Sequence, residues 1–103
     1  MEIIAKLSDM IEEELDDAEK YVNCATKVRA EYPTLAEAFY KLSVAEMDHM
    51  KTLHDETAAI ITAYRKEHGE PPAGMMAVYE YLHKKSMDHA AEVRIKQNLF
   101  REV

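Results

Sequence analysis

Glu31-Tyr32-Pro33-Thr34-Leu35-Ala36-Glu37 interrupts two long runs of helix-forming residues. Proline disfavours helix in the residue before it, so the first run ends before Tyr32. Thr34 and Glu37 stand at capping-box spacing, which starts the next run. So short a connection folds the two runs into an antiparallel pair. The run before the break spans about 2–30 and the run after it about 34–68. His68-Gly69-Glu70-Pro71-Pro72-Ala73-Gly74 closes the second run, with Gly69 as the stop and the two prolines as a hard break. A third run covers about 73–101.

Composition supports this reading. Of 103 residues 48% are apolar and only 2 are glycine, which suits one all-α domain over 1–103 built from long helices. A domain this short gains from self-association. Net charge is −7, so a basic face for nucleic acid is not expected. No apolar run is long enough to span a bilayer, and Met1-Glu2-Ile3-Ile4 opens directly on an amphipathic pattern without a signal peptide. The single cysteine, Cys24, forms no internal disulfide and fits a cytoplasmic protein. The 7 methionines read as gap-filling core residues.

Each run shows helical periodicity. One stripe joins Ile3, Leu7, Met10, Ile11, Ala18, Tyr21, Ala25 and Val28. A second joins Leu35, Ala38, Phe39, Leu42, Met50, Leu53, Ile60 and Tyr64. A third joins Met75, Val78, Tyr79, Leu82, Ala90, Val93 and Phe100. Charged residues on these stripes are the exceptions that point to chemistry. Glu14 falls near the centre of the first stripe and Glu46 near the centre of the second, with His49 roughly 50° away. Glu12, Glu13, Asp16, Glu19 and Asp48 face elsewhere and read as solvated charges. An ionised carboxylate in a core is costly unless paired or metal-bound. Glu46 and His49, three residues apart, project to one point, and Glu14 meets them at similar height across the antiparallel pair. Carboxylates with an imidazole suit iron, with manganese as the alternative.

Glu14-Leu15-Asp16-Asp17-Ala18-Glu19-Lys20-Tyr21 together with Glu46-Met47-Asp48-His49 resembles the ferritin-like superfamily, in particular rubrerythrins and half-size encapsulated ferritins. The likeness covers the first two helices, roughly 2–66. It implies a di-iron carboxylate protein that binds and oxidises ferrous iron with oxygen or peroxide. Glu46 would be the bridging carboxylate, His49 the terminal ligand, and Tyr21 an aromatic partner of the ligand carboxylates. A full family bundle supplies its second Glu and second E-x-x-H itself, whereas one clear half is present here. Half-size members complete the set by dimerising. The resemblance thus implies a homo-oligomer, a dimer or a ring of dimers, in which two chains make a four-helix bundle and one site. The C-terminal run Asn98-Leu99-Phe100-Arg101-Glu102-Val103 has no recognisable encapsulin-docking tail.

Glu80-Tyr81-Leu82-His83 is a second E-x-x-H. His83 lies at the stripe edge and Glu80 beyond it, so the pair is the weaker ligand candidate. His89 falls inside the third stripe and reads as a core or rim histidine. The rival to an iron oxidase is a non-enzymatic helical interaction module with the same fold.

Overall fold

The computed structural model describes residues 1–102 and contains three α-helices, α1 (Glu2–Val28), α2 (Pro33–His68) and α3 (Ala73–Glu102). Val103, the last residue of the C-terminal run, lies outside the described residues. The helices run up, down and up in a rod of 56 × 19 × 17 Å. The N-terminus of α1 touches the start of α3, where the Met1 ammonium approaches Met75 Sδ at 2.9 Å. No helix among the described residues is long and apolar enough to cross a membrane.

The breaks fall where proline and glycine place them, with one change in detail. Tyr32, not Thr34, caps α2, and it makes no side-chain capping bond. Pro33 occupies the first turn, where its missing N–H costs nothing and its fixed φ is already helical. Thr34 is therefore inside the helix, and Glu37 turns away to a two-pronged pair with Arg101 of α3. Gly69 stops α2 with φ 76°, and its N–H bonds to the Arg65 carbonyl at 3.0 Å.

The core is rotated from the expected stripes. On α1 the buried line is Ile4, Ser8, Ile11, Leu15, Ala18, Val22 and Ala25. On α2 it is Ala36, Ser43, Met47, Met50, Thr57 and Ile61. On α3 it is Ser86, Ala90, Val93, Gln97 and Phe100. Ile3, Met10, Leu35, Leu42 and Val78, expected in the core, are exposed. The cause is the docking of α3 on one side of the α1–α2 hairpin, where small and hydroxyl side chains let the helices approach. Ser43 Oγ donates to the Ala18 carbonyl at 2.6 Å and accepts from Gln97 Nε2 at 2.9 Å, tying all three helices at one level. Each buried polar group there has a partner, so its burial carries no desolvation penalty. The opposite side of the hairpin keeps a second apolar face with no helix on it.

Candidate metal centre

Glu14, Glu46 and His49 lie on that uncovered face. On a helical wheel Glu14 is about 70° from the centre of the α1 core line. The expectation that Glu14 and Glu46 sit at core-stripe centres is thus corrected: both are partly buried at the core's edge, and His49 is exposed. Their convergence does hold. Glu14 comes from the middle of α1 and the other two from the facing level of α2. One ligand atom from each of the three lies within 4.8 Å of the others. His49 Nδ1 is 3.5 Å from Glu14 Oε2 and 3.6 Å from Glu46 Oε2. Side-chain exposure is 26% for Glu14, 17% for Glu46 and 60% for His49, so the group opens outward through the histidine.

The electrostatics are unrelieved within one chain. Glu14 Oε2 is buried and has no hydrogen-bond partner. The 3.5 Å contact to His49 is too long to serve as one. Glu14 also holds the Glu46 carboxyl above the usual carboxylate range, chiefly because a protonated Glu46 can hydrogen-bond to Glu14. Partial burial and the Glu14 charge push the same way, and His49 opposes them. Two crowded carboxylates and an imidazole fit a divalent cation. The cation would satisfy the bare Glu14 oxygen and offset the repulsion between the two carboxylates.

The remaining candidates lie elsewhere. Tyr21 is half-buried on the same face as Glu14, with its ring stacked on Phe39 at 6.2 Å. Its hydroxyl does not satisfy Glu14 Oε2. Glu80 is exposed on α3. His83 stacks between His54, at 5.0 Å, and Tyr79, at 5.8 Å. Burial, and then the nearby His54, hold the His83 imidazole below its ordinary range. Among the described residues, neither Glu80 nor His83 joins a group of three metal-capable side chains.

A second such group does form, from residues first read as solvated or as ordinary core. Glu12 and Asp16 of α1 meet His89 of α3, again with one ligand atom from each within 4.8 Å of the others. Glu12 and Glu19 face α3, not open water. The available signal was the line Glu12, Asp16, Glu19 at i, i+4, i+7 on α1, but its meaning depends on where α3 docks.

No family model matches the chain, and no curated protein or solved structure does either.

Proposed function

We propose that the chain is half of a two-chain di-iron protein that takes up ferrous iron and oxidises it with oxygen or peroxide. The observation that carries this reading is the buried Glu14 oxygen without a hydrogen-bond partner, beside Glu46 and His49. The surrounding face is apolar, with Ile3, Met10, Leu35 and Leu42 exposed along the two helices. A second copy turned by a two-fold axis would cover that face and bring its own Glu14, Glu46 and His49 to the same place. Two chains then supply four carboxylates and two imidazoles, the complement of a carboxylate di-iron bundle.

Iron, when bound, supplies the one-electron chemistry towards oxygen or peroxide, and ferric iron is the product. The chain's residues do the rest. Glu14 and Glu46 balance the charge of the incoming ions with their carboxylates. His49, at the open edge, adds a neutral nitrogen ligand. The apolar rim keeps bulk water from the carboxylates once the second chain is seated.

The test joins iron uptake to size. Anaerobic titration with ferrous iron should load this site with about one ion per chain, and loading should favour the dimer by mass action. Glu46→Ala with His49→Ala should abolish that uptake. Oxygen consumption with ferrous iron should exceed the uncatalysed rate only in the wild type. A dimer that forms through this face yet takes up no iron there would replace the proposal with a helical interaction module.

A further inference from the structure

We infer that Glu12, Asp16 and His89 form a second, mononuclear site for a zinc-class divalent cation, complete within one chain and held between α1 and α3. The group lies on nearly the opposite side of α1 from Glu14, since two residues on a helix turn through about 200°. It stands whether or not the two-chain iron site exists.

The geometry is that of ligands supported from behind. His89 Nδ1 lies 3.3 Å from Glu12 Oε2. The two groups hydrogen-bond to each other at that separation when no ion lies between them. Two ligands at about 2.0–2.1 Å from a tetrahedral ion stand about 3.3–3.4 Å apart. Glu12 and His89 each turn a second polar atom towards another side chain. Glu19 Oε2 faces the other ring nitrogen, His89 Nε2, at 3.5 Å, which places a second carboxylate behind the ring. Ser86 Oγ donates to Glu12 Oε1 at 2.8 Å, so that Oε2 is the oxygen turned towards His89. Asp16, one turn beyond Glu12 and exposed, supplies the third oxygen.

The charges agree. Neither Glu12 nor Asp16 meets a lysine or arginine among the described residues. Lys96 instead pairs with Glu19 at 3.4 Å, and Lys84 with Asp88 at 3.2 Å. His89 is only 17% exposed, so its contacts are not those of a freely solvated ring. The group borders a cavity of about 540 Å³ lined by Glu12, Glu19, Tyr81, Lys85, His89 and Glu92, with room for the ion and a water as its fourth ligand. One imidazole with two carboxylates and an open position suits zinc, for which cobalt(II) is the spectroscopic stand-in.

The experiment uses the full chain carrying Glu46→Ala and His49→Ala. Those side chains line the uncovered face, so the changes remove the first site and leave the core intact. Titration with cobalt(II), followed by its visible absorption, should show one tetrahedral ion per chain, displaced by zinc. Adding His89→Gln should abolish the spectrum, and adding Asp16→Asn should weaken binding at least about tenfold. Ser86→Ala, which frees the Glu12 carboxylate, should weaken it by about 10-fold as well. Absence of a tetrahedral spectrum in the starting variant overturns the inference. So does unchanged affinity in folded His89→Gln or in Asp16→Asn. The latter alters an exposed residue and remains decisive if the histidine variant does not fold.

Discussion

Glu46 shows at the scale of one residue how function and stability pull apart. Its carboxyl is held above the usual range by Glu14, so the folded chain binds a proton there more tightly than the unfolded chain does. The sign follows from linkage. The contribution is fully present below the ordinary glutamate value and is lost as pH rises through the raised one, so above the raised value the ion-free chain carries an unrelieved charge. Glu46→Gln removes that charge, and its amide can donate to the bare Glu14 oxygen. We expect the ion-free variant to melt a few degrees higher than wild type at neutral pH, with the difference vanishing in acid. The variant should also lose the stabilisation that ferrous iron gives the wild type. Thermal melts across pH, with and without the metal, would check both; an ion-free variant less stable than wild type at neutral pH would mean that the Glu14–Glu46 pair is already satisfied. Glu14, Glu46 and His49 were legible in the sequence because i, i+3 spacing and hairpin symmetry are local facts. Glu12 and His89 were not, because their meeting depends on the side from which α3 approaches α1, and no spacing within α1 encodes that.

The helices themselves were legible in extent but not in rotation. Pro33 and Gly69 mark the ends of elements through backbone geometry alone, and the structure breaks at both. The buried face was harder to read because its deciding residues are polar. Ala36, Ser43, Met50 and Thr57 recur every seven residues on α2, and all four are buried. A hydrophobic pattern passes over the serine and threonine and settles on Leu35 and Leu42, one position away and exposed. Hydroxyls bonded back to main-chain carbonyls, as Thr57 Oγ1 is to Leu53 at 2.7 Å, behave as small core side chains. The end of α2 gives this scale its test. Gly69 has φ 76° and ψ −164°, a region essentially reserved for glycine, and a Cβ there would meet nothing within 4 Å. Gly69→Ala thus isolates backbone strain from packing. It should cost about 1–3 kcal/mol, read as a fall in urea midpoint with an unchanged slope. A variant as stable as wild type would show that the α2–α3 link relaxes freely to another conformation.

At the scale of the whole molecule, the two faces of the hairpin have different fates. One is closed by α3, through the Ser43–Gln97 bond, the stacking of Tyr40 on Phe100 at 5.2 Å, and Arg29, whose guanidinium lies 4.1 Å from the Phe100 ring centre. The other carries the exposed leucines and methionine together with Glu14, Glu46 and His49. Scattered exposed apolar residues need no explanation, but a line of them flanking unsatisfied carboxylates does. Leu42 allows the two-chain reading to be separated from the fold. It is 44% exposed, so Leu42→Glu adds a charge where the single chain meets water and leaves the three-helix core alone. Across a two-fold contact the same change buries an unpaired carboxylate, which costs several kcal/mol. The variant should therefore keep its helicity and run as an 11.9 kDa monomer at concentrations where the wild type is dimeric, as sedimentation would report. Iron uptake at Glu14, Glu46 and His49 should fail with it, whereas cobalt binding at Glu12, Asp16 and His89 should persist, since that group needs only one chain. If Leu42→Glu dimerises as well as the wild type, the two-fold axis does not pass over this face. Half a ligand set would then have to be completed by something other than a second copy.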